Sequence, residues 1–390
     1  MRTTVGIIGA GPAGLLLARL LHRAGVDCVV LEARDRERVE RGRRGGLLEQ
    51  GVTDALRECG AADRLDRDGL ELRGVELRFE GRSHRVDLPS LTGGRTVVSY
   101  PQSELVKDLV LLQLLDGPPL LFGARALAVE KPDSEQPLIR FVHEGREQTL
   151  ECEWVAGCDG ARGVSQDALP ADGVRAHGRT HPCSWLGILA EAPPFSDELL
   201  LAGHERGFAL HTAHTPRLSR FCLQVPDGTR LEEWPEERVW EELEVRLAAG
   251  GGELRRGPVV ARSVTALRSR VTEPMRHGRL LLAGDAAHLV LPTAAKGLNL
   301  ALADAVTMAR GFFHWRVNGS AQLLDRYSEL CLRRVWQAQR FAHDLTALLH
   351  APPDGDPYDR QLQLAWLRRL TGPTAAAAEL AENCAGPPLF

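Results

Sequence analysis

The chain has 390 residues, 44% hydrophobic and 26% charged, with a formal net charge of −4. That length exceeds one simple core and suits two or three packed lobes, and the ordinary globular composition excludes a disordered, collagen-like or disulfide-stapled chain. The slightly acidic balance offers no field for nucleic acid or an anionic membrane surface, so neither is expected as a partner.

Thr4 to Ile8 is nearly all apolar, as a strand buried on both faces would be. Gly9-Ala10-Gly11-Pro12-Ala13-Gly14 follows at once. A helical stripe then runs through Leu15, Leu16, Ala18, Leu20 and Leu21, and a second apolar run, Cys28 to Leu31, ends in Glu32. Strand, glycine-rich turn, helix, strand and acid make a dinucleotide-binding unit. Gly9 allows the tight turn, Gly11 lets backbone N–H groups approach a pyrophosphate, and Gly14 lets helix and strand pack closely. Glu32 stands where an acid binds ribose hydroxyls. This unit alone does not choose between FAD and NAD. The same glycines interrupt an N-terminal run that otherwise imitates a signal peptide. No other stretch reaches about 18 uninterrupted apolar residues, so a cytoplasmic protein without a membrane span is expected.

Further along, Leu72, Val75, Leu77, Phe79 and Arg85 to Leu88 read as short strands, as do 185–191, 208–212 and 221–225, punctuated by Pro and Gly. They predict a mainly β lobe inserted into the first. Two more strand-end turns stand out. Gly157-Cys158-Asp159-Gly160-Ala161-Arg162-Gly163 follows the apolar run 154–156, and Leu280-Leu281-Leu282-Ala283-Gly284-Asp285 is read as strand, glycine, acid, then helix. After Pro292 the pattern turns helical, with stripes at 297–317, 321–347 and 359–370 and an alanine run, Ala375 to Ala378. The eight cysteines contain no C-x-x-C pair and no Cys/His cluster with zinc spacing, so reduced thiols and no metal are expected.

The three glycine-acid turns, in this order, resemble the flavoprotein aromatic hydroxylases. Leu47-Leu48-Glu49-Gln50-Gly51, Gly207-Phe208-Ala209-Leu210, the run from Gly278 through Asn299, Cys331-Leu332-Arg333-Arg334 and Ala381-Glu382-Asn383 narrow the resemblance to the 4-hydroxybenzoate 3-hydroxylase subfamily. It implies a mixed α/β fold: a Rossmann-like FAD-binding domain over 1–175, with 72–97 contributing to the substrate lobe; a substrate-binding β-sheet domain over 176–266; a return to the FAD domain over 267–290; and a helical interface region over 291–390. It implies bound FAD, NAD(P)H and O2 as co-substrates, a C4a-hydroperoxyflavin attacking an electron-rich ring, and a homodimer. With one dinucleotide fingerprint in the chain, FAD holds it and NAD(P)H docks transiently. By the same resemblance Arg44 and Gln102 are FAD contacts and Asp285 is the ribityl ligand. Asp159 lies near both cofactors, and Arg220 influences their position. Pro292, Lys296 and Asn299 line the reactive side of the flavin. Arg162 and Arg268 fall at nicotinamide-phosphate positions, where the family commonly has His at the former. Arg34 and Arg38 lie in the segment that selects NADPH over NADH, and a guanidinium there can pair with a 2′-phosphate, which slightly favours NADPH.

The substrate pocket departs from the subfamily. A Ser/Arg/Tyr clamp for the substrate carboxylate becomes Thr212, His214 and Cys222, and a Tyr/Tyr/His relay that deprotonates the phenol becomes Leu201, Cys384 and Leu72. With Trp185 these are the expected substrate-binding residues. The clamp is charged only if His214 is protonated, which its ordinary range makes partial near neutral pH. His211 is a second histidine on the strand, but alternation turns it to the opposite face. A ring already rich in electrons can dispense with the relay. An amino- and/or hydroxy-substituted benzoate, such as a 3-amino-4-hydroxybenzoate-like acid in a biosynthetic pathway, is therefore expected over 4-hydroxybenzoate. The alternatives are a 4-hydroxybenzoate 3-monooxygenase and a flavin oxidase or reductase without oxygen insertion.

Overall fold

The computed structural model describes residues 1–42, 45–352 and 355–389. Its core is a sheet whose central strands run in parallel. Arg2–Ile8 pairs on one side with Cys28–Glu32 and on the other with Arg146–Gly157, which in turn pairs with Leu280–Leu282. Every residue of Cys28–Glu32 and of Leu280–Leu282 is buried, which is why these strands read as unbroken apolar runs rather than alternating ones. The helix Pro12–Arg23 covers one side, burying Leu15, Leu16, Leu17 and Leu21.

A second sheet of eight strands holds 74–79, 82–87, 175–190, 199–204, 207–215, 218–226, 259–273 and 288–289. Its strand Val259–Glu273 runs unbroken past residue 266, where the sequence suggested a boundary. Alternation divides this sheet's side chains between two cores. Leu200, Ala202, Ala209, Phe221 and Leu223 face the helix Glu236–Leu247, through its Val239, Trp240 and Leu243. Trp185, Leu201, Phe208, Leu210 and Cys222 face the other way, towards Leu345, Leu349, Leu367 and Leu380 of the C-terminal helices. Leu70–Leu72 belongs instead to a small sheet with Leu47–Glu49 and Val97–Ser99.

One local expectation is corrected. No helix follows Asp285 directly: a 3-10 turn, Gly284–Ala286, leads to the two-residue strand His288–Leu289 and a second 3-10 turn, Pro292–Ala294. Pro292 has no N–H to donate and Ala295 adopts φ +54°, so the helix starts only at Gly297. All eight cysteines are free thiols. Among the described residues no group of His, Cys, Asp and Glu could hold a metal ion, and no helix is long and apolar enough to cross a membrane.

Candidate active site

The strand order brings three glycine-rich strand ends together. Gly9, Gly157 and Gly284 lie at or just past the C-terminal ends of three adjacent parallel strands, where α/β sheets bind ligands. At Gly9 and Gly14 the packing is backbone on backbone. Gly9 has φ +102°, and a Cβ there would lie 2.4 Å from the Cys158 carbonyl oxygen; one on Gly14 would lie 2.0 Å from the Gly9 carbonyl oxygen. Above Gly11 there is open space, with nothing within 4 Å of where a Cβ would sit. No side chain caps the helix that starts at Pro12, so its first N–H groups face that space. This is the geometry a pyrophosphate requires.

Glu32 is buried. Its Oε2 accepts the Ala10 N–H at 2.7 Å and its Oε1 accepts the Arg34 N–H at 2.9 Å, so it braces the turn, and each oxygen keeps a second lone pair for a hydroxyl. Asp159 Oδ2 accepts both the N–H and the hydroxyl of Ser165 at 2.9 Å, while its Oδ1 is buried without a partner. Burial raises the Asp159 pKa against the lowering effect of Ser165. An orphaned buried acceptor, the open space over Gly11, an uncapped helix N-terminus and the half-buried Asp285 together fit FAD. Gln102 opens the helix Gln102–Asp116 beside Gly46, and the Arg220 side chain packs against Gly45. Arg44 lies outside the described residues.

A largely apolar cavity lies between the second sheet and the C-terminal helices. Leu72, Leu201, Cys384, Lys296 and Asn299, expected from four separate segments, all line it. Val75, Leu88, Val97, Thr293, Phe341 and Leu345 complete much of the wall. Burial pushes the Cys384 thiol up to about 11, so it stays protonated at neutral pH. The sequence reading missed Glu49 as a site residue. Lys296 Nζ donates to Glu49 Oε1 at 2.6 Å and to the Cys384 carbonyl at 3.3 Å, and the side chains of this ion pair are only 7% and 8% exposed. Removing either partner would strand a buried charge. Asn299 Oδ1 accepts the Glu49 N–H, and its Nδ2 donates to the Leu47 carbonyl, which fixes this wall to the helix Gly297–Asn318. Signals for Glu49 existed: an acid after two leucines in a strand, and one of only three lysines in the chain to pair with it.

Other expected residues are not on the cavity wall. Trp185 is buried against the stacked rings of Phe208 and His350, and its indole donates to His350 Nε2 at 2.7 Å. Thr212 and Cys222 are buried in the sheet beside the cavity, with Thr212 opposite Arg220 in register. His214 corrects an expectation. Burial, reinforced by the Arg220 guanidinium, lowers its pKa to about 4, so it is neutral near pH 7. His211 points to the opposite face, where its Nε2 accepts the Phe195 N–H, and burial lowers it to about 4. Arg34, Arg38, Arg162 and Arg268 are exposed, and none has an ion-pair partner among the described residues. Their neighbours Arg36 and Arg41 pair with Glu40 and Glu37.

Comparison with known proteins agrees with this geometry. The FAD binding domain family matches residues 2–342. The chain is 41% identical over 389 residues to p-hydroxybenzoate hydroxylase of Acinetobacter baylyi, covering 100% of this chain and 96% of that protein. It is 28% identical to 3-(3-hydroxy-phenyl)propionate/3-hydroxycinnamic acid hydroxylase 2 of Burkholderia vietnamiensis, covering 81% of this chain and 58% of that longer protein. Among solved structures, p-nitrophenol 4-monooxygenase from Pseudomonas putida shares the fold, with a TM-score of 0.83 at 21% identity over 99% of both chains. Aklavinone-11 hydroxylase does so with a TM-score of 0.75 at 22% identity, over 91% of this chain and 70% of that one. The chain belongs to the FAD-dependent aromatic monooxygenases and is a hydroxylase of the p-hydroxybenzoate hydroxylase type.

Proposed function

We propose that this enzyme hydroxylates an electron-rich aromatic acid, an amino- and/or hydroxy-substituted benzoate such as 3-amino-4-hydroxybenzoate, at the expense of NAD(P)H and O2. Bound FAD supplies the oxygen activation, and the chain supplies position, electrostatics and a water-poor cavity. Gly9, Gly11, Gly14, Glu32, Gln102, Asp159, Arg220 and Asp285 hold the cofactor. Pro292, Lys296 and Asn299 hold the wall against its reactive side, with the Lys296–Glu49 pair as the cavity's fixed charges. Thr212 and His214, on the strand Gly207–Thr215 and off the cavity wall, are the residues we assign to the substrate acid. Arg162 and Arg268 meet the nicotinamide cofactor, and the exposed guanidiniums of Arg34 and Arg38 favour NADPH.

One observation carries this reading: Leu72, Leu201 and Cys384 line the cavity, and none of them can move a phenol proton near neutral pH. Ionising an unassisted phenol at neutral pH costs about 4 kcal/mol, from a reference pKa of about 10. A ring with an additional donor group needs no such assistance. The oxidase or reductase reading has no comparable support, because the Pro292–Asn299 wall packs against this cavity.

The test is NAD(P)H consumption against a panel of substituted benzoates, with product mass and peroxide measured together. The proposal expects hydroxylated aminohydroxybenzoate in at least about 10-fold excess over hydroxylated 4-hydroxybenzoate, a margin of about 1.4 kcal/mol. Equal coupled turnover of the two would defeat it, and peroxide without oxygenated product would favour an oxidase. We also place the chain in a homodimer, since Tyr358, Leu362 and Trp366 leave an apolar stripe exposed along one helix. Light scattering reading twice 42.7 kDa checks this, and a monomer would contradict it.

A further inference from the structure

Behind the Gly284-Asp285 turn lies a sealed polar cluster that the chemistry above does not use. Asp304, inside the helix Gly297–Asn318, is 2% exposed, and His288 is 1% exposed. A single oxygen of Asp304, Oδ2, accepts the Gly284 N–H at 2.9 Å and lies 2.7 Å from His288 Nε2. The Cys331 thiol lies near the Asp304 carboxylate, whose charge, after burial, helps to raise the thiol's pKa. Among the described residues neither Lys nor Arg pairs with Asp304. A carboxylate in such a place is costly unless its hydrogen bonds compensate, and here they converge on the two ends of one turn. The Ala287 N–H donates to the Gly284 carbonyl at 2.8 Å and closes that turn. Gly284 itself has φ +61°, and a Cβ there would lie 3.0 Å from Ala301 Cβ on the same helix as Asp304. Tyr327 makes a useful contrast. It is equally sealed, but its hydroxyl donates to the Leu282 carbonyl, before the turn.

We propose that Asp304 and His288 are positioning residues that hold the Gly284–His288 segment in one shape, so that Asp285 and the backbone beside it meet FAD already organised. Pre-organisation of this kind adds to affinity by lowering the ordering cost of binding. The inference rests on the reading that Asp285 faces FAD, so both are tested together.

The experiment titrates apoprotein with FAD by flavin fluorescence and follows apoprotein melting by circular dichroism. Asp304→Asn should raise the FAD Kd at least about 10-fold. His288→Leu should do the same, whereas His288→Gln, which keeps a side-chain N–H donor, should recover most of the affinity. Tyr327→Phe should leave the Kd within about two-fold, although it too removes a buried hydrogen bond. Asp285→Asn calibrates the underlying reading. If Asp285→Asn weakens FAD and Asp304→Asn does not, the positioning role is wrong and the reading stands. If Asp285→Asn has no effect, the reading itself fails. If Asp304→Asn and Tyr327→Phe weaken FAD in step with their losses of apoprotein stability, the cluster is merely structural. Should Asp304→Asn not fold, the His288→Leu and His288→Gln pair decides alone, and equal Kd values for the two would overturn the proposal.

Discussion

The cofactor cradle and the substrate cavity are built by different means. In the cradle, what matters is where backbone passes: Gly9 against the Cys158 carbonyl, Gly14 against the Gly9 carbonyl, and open space above Gly11. Few side chains at those points could change without moving the strands. The cavity is enclosed by side chains from many segments, and Leu72, Leu201 and Cys384 fill wall positions without disturbing the sheet or the helices behind them. One region therefore tolerates almost nothing, and the other can change its chemistry while keeping its shape. A lineage can hold the flavin machinery constant and alter the substrate by exchanging a handful of wall residues.

The sharpest way to break this contrast is a single methyl group in the cradle. Gly9→Ala forces an L-residue to φ +102° and sets its Cβ 2.4 Å from the Cys158 carbonyl oxygen. The backbone must shift where the pyrophosphate needs it. The FAD Kd should rise about 100-fold or more, roughly 2.7 kcal/mol. Flavin fluorescence titration measures it, and a variant that purifies yellow with ordinary affinity would show that the turn tolerates displacement.

The corresponding change in the cavity should leave the cradle untouched. Leu72→His, Leu201→Tyr and Cys384→Tyr together restore a proton path at three wall positions. Coupled hydroxylation of 4-hydroxybenzoate should then rise about 10-fold, a share of the roughly 4 kcal/mol ionisation cost, while the FAD Kd stays within about two-fold. If FAD affinity falls with the triple change, the two regions are not separable. A smaller effect is expected at the exposed Arg268, which has no ion-pair partner among the described residues. Arg268→Ala should raise the NADPH KM about five-fold, near 1 kcal/mol for one charge-assisted contact, and leave the aromatic KM alone. Steady-state kinetics with each substrate varied in turn decides it.

The same contrast explains what could be read from the chain. The cradle was legible because its information is local: a strand, three glycines, a helix and Glu32 lie within one short stretch, and the backbone geometry follows from the glycines themselves. The turn after Asp285 was misread as a helix start, because its hydrogen-bond partner, Asp304, lies 20 residues beyond Gly284. In the cavity, Leu72, Leu201 and Cys384 were reached only through family resemblance. The Glu49–Lys296 pair joins residues 247 apart in sequence, so the local signals at each residue do not show that the two meet. Trp185 was expected among the substrate-binding residues, and its hydrogen-bond partner, His350, lies 165 residues away, where no local pattern shows it.

His214 shows the limit most clearly and yields the smallest expected effect. Its type suggests partial charge at neutral pH, but the fold buries it beside Arg220 and lowers its pKa to about 4. Charging it in the free protein is therefore unfavourable throughout pH 6–8. A bound carboxylate favours the charged form and moves the pKa upward, by about 1 to 3 units for a close opposite charge. Binding takes up a proton only between the free and the bound pKa. Affinity for a benzoate ligand should thus fall as pH rises from about 4 to about 6, and level off above that. At pH 7.5, His214→Gln should change the ligand Kd by less than about three-fold, as befits a neutral hydrogen bond. Equilibrium titration of the FAD-loaded enzyme with the preferred benzoate, from pH 5 to 8, measures both. A steep loss of affinity through pH 7 that His214→Gln abolishes would mean that the histidine is charged in the complex, and that the cavity kept a cationic clamp after all.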